Sequence, residues 1–192
     1  MLNFEKPTYK ITEYVENSNY GKFELEPLER GFGLTLGNAL RRVMLSSMPG
    51  SAIVAVKIEG AMHEFQALDG VVEDVTSIIL NLKNVVIKNN TEEEVVLQLH
   101  SDKEGIVTAA DIEENPDVEI INKDQVIATL AKGGKLDMEF IVANGRGYVP
   151  SVENKKYIED QKIGFIPIDA LYSPIERISY EIDNARVGQD AS

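Results

Sequence analysis

The chain has 192 residues, 43% of them hydrophobic and 27% charged, which is enough apolar content for a buried core and too much for a disordered tail. Cysteine is absent, which excludes disulfides, zinc–thiolate sites and thiol nucleophiles together. The net charge is −13, opposite to what a phosphate-binding surface needs, so direct nucleic-acid binding by this chain is not expected.

The charge is unevenly spread. Residues 1–60 carry seven Lys/Arg and seven Glu, whereas 61–192 carry twelve basic and twenty-five acidic residues. The acidic excess reads first as a solvated surface. A run of about 18 apolar residues, the length of a membrane-crossing helix, does not occur. The opening MLNFEKPTYK lacks the apolar centre of a secretory leader, so a cytoplasmic location is expected. The length suits one large domain or two small ones.

In chain order, Phe23 and Leu25 alternate with Glu24 and Glu26, predicting a strand over 22–28 that Pro27 bars from a sheet centre. Leu36, Ala39, Leu40, Val43 and Met44 then follow i, i+3, i+4, i+7, i+8 spacing and predict a helix. The β-branched run SAIVAVKIE over 51–59 predicts a buried strand. A second helix is predicted from Val71, Val75, Ile78, Ile79 and Leu82, with Glu73 and Asp74 at its start and Lys83 at its end matching the helix dipole. Segments 85–88 and 95–100 flank the turn-rich NNTEEE and predict a hairpin. Leu136, Met138, Phe140 and Val142 alternate, as do Ile178, Tyr180 and Ile182, predicting two further strands. The expected class is α+β, mainly antiparallel, with two helices.

Enzyme chemistry finds little support. Only His63 and His100 are present, with no H-E-x-x-H pair. Ser46 and Ser47 are outside any G-x-S-x-G turn. Gly31, Gly33 and Gly37 precede or open a helix, as phosphate-cradling loops do, but Leu36 occupies the third glycine position of G-x-G-x-x-G. A nucleotide-binding enzyme using the Gly31–Gly37 loop is the alternative reading, and a free-standing homodimer is another. Acidic pairs such as Glu92–Glu94 and Glu113–Glu114 lie in polar, turn-like sequence. The expectation is therefore a binding or scaffold protein with no catalytic, cofactor-binding or metal residues. On the first helix, Asn38, Arg41, Arg42 and Leu45 fall opposite the apolar stripe. Arginine beside an apolar residue is the composition of protein-interface centres.

The stretch EPLERGFGLTLGNALRRVMLSSMPG, Glu26 to Gly50, resembles the signature of the alpha subunit of bacterial DNA-directed RNA polymerase. The likeness continues through Gly70–Val75, Ile79–Lys83, Val107–Ile112, Gly145–Tyr148, Pro167–Asp169, Tyr172–Pro174 and Ala185–Gln189. It implies a non-catalytic assembly subunit, enzymatic only within the nucleotidyltransferase complex and associated with the nucleoid there. In that family the amino-terminal domain forms a homodimer on which the beta and then beta-prime subunits assemble. The resemblance implies a dimerisation subdomain built from residues 1–49 and 173–192 and an insert subdomain over 50–172. By position, it implies beta contacts at Arg42 and Leu45, beta-prime contacts at Lys83 and Ile168, and an activator contact at Glu159 and Asp160. Dimerisation is expected through the first helix, with Phe32 and Leu36. The sequence stops soon after Gln189, before the strand and long helix that complete the family's domain, so a truncated domain with a weak, concentration-dependent dimer is expected.

Overall fold

The computed structural model describes residues 6–159 and 162–184. The chain divides into two compact units, Met1–Val43 with Arg177–Ser192, and Met44–Glu176. The described structure is mostly antiparallel sheet with few helices, compatible with the α+β class.

The first unit opens with a hairpin of β1 (Thr8–Val15) and β2 (Tyr20–Glu26). Its connecting turn places Asn17 and Asn19 at φ 65° and 54°, left-handed values that asparagine tolerates better than most residues. Tyr9 opposes Leu25 and Ile11 opposes Phe23, while Lys10 opposes Glu24. Opposed residues share a face, so the hairpin has one apolar and one charged side. Tyr9, Ile11 and Phe23 are nevertheless exposed. Gly31, at φ +84°, turns the chain into α1 (Phe32–Ser46), none of whose residues is buried. The 3.6-residue stripe exists as predicted, but within the described residues it faces no core. The strand predicted from Ile178, Tyr180 and Ile182 does not form. That segment is irregular, and Ile182 and Tyr180 instead cover Gly33 and Gly37 of α1.

The second unit is built on β3 (Pro49–Ile58), which follows α1 directly. The next elements are α2 (Val75–Leu82), β4 (Ile87–Asn89), β5 (Val95–Ser101) and β6 (Gly105–Thr108). Beyond them come β7 (Val118–Ile120), β8 (Val126–Leu130), β9 (Leu136–Arg146), β10 (Tyr148–Val149), α3 (Ser151–Asn154), β11 (Ile166–Pro167) and β12 (Ala170–Leu171). The central sheet runs β11-β3-β9-β5, all antiparallel. The predicted hairpin of 85–88 with 95–100 is not made: β4 pairs with β7, and β5 pairs with β9. The polar NNTEEE stretch is a crossing between two sheets, and period-2 patterning cannot say which neighbour a strand will choose.

The sheet is covered on both faces. A large cluster including Val56, Ile58, Leu97, Leu99, Met138 and Phe140 takes the buried side of α2. A smaller one holds Val54, Ala55, Ile141, Ala143, Ala170 and Tyr172. A register shift between Ile53 and Ala55 marks a bulge at Val54. With both faces covered, the four consecutive side chains Ile53 to Val56 are all buried, which is why 51–59 reads as a continuous apolar run.

The second helix starts later than its periodicity suggests. Val71 bridges to Leu130, and Glu73 accepts from the Thr129 N–H at 2.7 Å and the Thr129 hydroxyl at 2.9 Å. Asp74 is the N-cap, accepting from the Ser77 N–H at 2.8 Å, and the Ser77 hydroxyl, then this N–H, holds its carboxyl below the usual carboxylate range. Lys83 is the C-cap.

Phe140 is fully buried between β3 and β5. Phe140→Ala should cost about 3–5 kcal/mol, read as a lower urea midpoint. His100 on β5 pairs with Asp137 on β9. The Asp137 hydrogen bond, then its charge, raises the His100 pKa above 6.5. The contribution is therefore complete below the unfolded-state value and disappears as pH rises through the raised native one. Unfolding free energy should fall as pH increases above about 6.5, and His100→Asn should remove that slope in urea titrations.

Candidate subunit-contact surfaces

On α1, residues three and four apart share a face. Phe32, Leu36, Leu40 and Val43 make one such row; Phe32, Leu40 and Val43 are exposed and Leu36 is half-buried. This is an apolar helical surface without a core beneath it in the described chain. Arg42 is exposed and Leu45 half-buried, three residues apart. Asn38, expected on the same face, instead accepts a hydrogen bond from the Tyr180 hydroxyl at 2.7 Å.

The same segment accounts for two of the three glycines of the loop considered for nucleotide binding. A Cβ on Gly37 would lie 2.6 Å from the Tyr180 ring, and one on Gly33 would lie 3.2 Å from Ile182. Gly33 and Gly37 sit inside the helix, and the space beside them holds protein side chains.

Lys83 and Ile168 come close in the second unit, but in different ways. Lys83 is exposed, and its ammonium is 3.6 Å from the Asp169 carboxylate. Ile168 is only 3% exposed. Its N–H donates to the Val54 carbonyl at 3.0 Å, and its own carbonyl accepts from the buried Asn154 amide at 2.8 Å. The Ile168 side chain is core, and the surface beside it is made by its neighbours. Those neighbours escaped the sequence analysis. Asp169 accepts from the Ser151 N–H at 2.7 Å, and Tyr148 and Leu171, opposed across β10 and β12, are both exposed. The signal available was an aspartate following the apolar Ile166–Ile168 run, where an ionised group must be positioned by partners.

The Ser151 N–H holds the Asp169 carboxyl below the usual carboxylate range, with the Tyr148 hydroxyl and Lys83 adding to the effect. The same contact raises the Tyr148 phenol. Elsewhere, burial against Tyr157 pushes Tyr172 up strongly, which marks it as a core anchor.

Glu159 is exposed, and Asp160 lies outside the described residues. Nearby, Lys162 pairs with Glu94 at 3.2 Å on an open groove of about 530 Å³ bordered by Glu92, Glu93, Asn144 and Tyr157. Among the described residues, no three His, Asp or Glu side chains are grouped to hold a metal, and no helix is long and apolar enough to cross a membrane.

Residues 56–173 match the model of the RNA polymerase Rpb3/RpoA insert domain. The chain is 54% identical over 189 residues to a DNA-directed RNA polymerase subunit alpha of Moorella thermoacetica, covering 98% of this chain and 59% of the relative. It is 52% identical over 192 residues to one of Oceanobacillus iheyensis, covering 100% and 60%. The chain belongs to the RNA polymerase Rpb3/RpoA insert-domain family. It spans about 60% of the length of these relatives.

Gly37→Ala separates helix propensity from close packing. Propensity alone would stabilise α1 by about 1 kcal/mol. The methyl group must instead displace Tyr180, so the Tyr180–Asn38 bond should be lost. Shifted Tyr180 ring resonances and faster proteolysis after Arg177 are the expected readouts.

Proposed function

We propose that this chain is an assembly module of a DNA-directed RNA polymerase alpha subunit, itself without catalytic residues. It pairs with a second copy and recruits the beta and beta-prime subunits, and the transcribing activity belongs to the whole complex. The observation that carries this reading is the identity of more than half of the residues to named alpha subunits along the full chain. An α1 whose apolar row lacks a core supports it, because stable dimer interfaces are large and apolar.

The subdomain layout belongs to the same proposal. Residues 1–49 and 173–192 form the dimerisation part and 50–172 the insert, a reading supported by the two-unit division and by the insert-domain match. Phe32 and Leu36 serve the dimer, Arg42 and Leu45 meet beta, and Lys83 meets beta-prime. Ile168 contributes by seating the segment that follows it. Glu159 and Asp160 form the activator-facing surface. DNA is held by other parts of the complex, since a net charge of −13 repels phosphate, and nucleoid association follows from the complex alone. The nucleotide-binding alternative loses its support with the filled space beside Gly33 and Gly37.

Coexpression with the beta subunit followed by size-exclusion chromatography tests the assembly role, and absence of a complex would remove it. Arg42 is exposed on a helix with no buried residue, so its truncation leaves no core cavity. Interface arginines cost on the order of 2 kcal/mol or more on truncation, and each 1.4 kcal/mol is about tenfold in affinity. Arg42→Ala should weaken beta binding roughly thirtyfold with the melting temperature nearly unchanged, and Arg41→Ala should do less.

A further inference from the structure

We propose that Asp169 is the positioning residue of the Lys83 surface, holding Lys83 so that it meets the beta-prime subunit beside Tyr148 and Leu171 as one preformed face. The inference rests on the reading of Lys83 as a partner contact and deepens it.

The residues involved come from separate stretches of chain. Lys83 ends α2, Tyr148 lies on β10, Ser151 opens α3, and Leu171 lies on β12. Asp169 touches Lys83 and Ser151. One carboxylate oxygen accepts from the Ser151 N–H at 2.7 Å, and the other is 3.6 Å from the Lys83 ammonium. Leu171 is two residues further on, and alternation puts it on the same side of the chain as Asp169. It is also directly opposite Tyr148. Tyr148 and Leu171 are 61% and 67% exposed, an apolar pair beside an ion pair and on the same side.

The arrangement does little for the chain alone. The Lys83 and Asp169 side chains are 36% and 38% exposed, and ion pairs at such exposure contribute little to stability. Its effect is on association. A lysine side chain has many rotamers, and ordering it on binding opposes affinity. Restraint by Asp169 before the partner arrives removes part of that cost. Ile168 supplies the foundation, buried and bonded through its backbone to Val54 and Asn154, so the carboxylate next to it is fixed to the core.

The test uses the full chain coexpressed with beta, and measures binding of purified beta-prime to Asp169→Asn, Lys83→Met and the double variant. Asparagine keeps an oxygen for the Ser151 N–H but removes the charge. Asp169→Asn should weaken binding by about fivefold to tenfold with little change in melting temperature. That loss should largely vanish in the Lys83→Met background, because Asp169 acts through Lys83. An equal loss in both backgrounds would show a purely structural role and overturn the proposal. If Lys83→Met weakens binding and Asp169→Asn does not, positioning fails while the contact reading stands. If Lys83→Met has no effect, the contact reading fails and the proposal falls with it. Should Asp169→Asn lose cooperative melting, Asp169→Glu, which keeps the charge but displaces it from Lys83, takes its place under the same criteria.

Discussion

The pairing of β3 with β9 is the constraint on which the larger unit depends. Nine residue pairs from Pro49↔Arg146 to Ile58↔Met138 join strands that are distant in sequence, and both faces of the pair are buried. The bulge at Val54 places Val54 and Ala55 together in the smaller cluster, between Ile53 and Val56 of the larger one. Phe140, Ile141, Val142 and Ala143 answer it from β9, all buried. Two clusters of different size then form on opposite sides of one two-stranded spine.

The return segment after β11 converts that spine into a surface. Ile168 bonds to the Val54 carbonyl at the bulge, and Tyr172 packs so closely that a Cβ on Gly50 would lie 1.7 Å from its carbonyl oxygen. Between these two anchors, Asp169 and Leu171 are left facing outward. A charged group can be held reliably at a surface only if its backbone is immobile, and here the immobility comes from burial of the residues on either side. The same logic joins Lys83 to the core through α2, whose four buried residues fix the helix end that carries it.

The smaller unit follows a different principle. Its hairpin and α1 present Tyr9, Ile11, Phe23, Phe32, Leu40 and Val43 with large exposure, and a two-stranded hairpin is marginal without packing. Gly33 and Gly37 admit Ile182 and Tyr180 against the helix. What covers the remaining apolar row is supplied, in the proposed function, by a second copy.

Local patterning was sufficient for some of the elements. The helices α1 and α2, the strands at 22–28, 51–59 and 136–142 and the alpha-subunit likeness are legible in the order of residues, because periodicity and composition act over a few neighbours. By contrast, β1, β6 to β8 and α3 carry no such clear pattern. Partner choice was not legible. That β4 joins β7 and β5 joins β9, that Val71 and Glu73 bond to β8 and not into α2, and that Ile178–Ile182 forms no strand depend on contacts far apart in sequence. The site divides along the same line. Arg42 and Lys83 stand out as cations on helices, whereas Asp169, Tyr148 and Leu171 become one face only when three chain segments are brought together. Burial of Ile168 was equally invisible, since an isoleucine in an extended run carries the same pattern whether it faces a core or a partner. The sequence by itself determined the two amphipathic helices, the most strongly patterned strands and the family to which the chain is similar. Only the tertiary structure decided which of the apolar residues are core and which are surface, because burial is a property of the assembled sheet and not of any one strand.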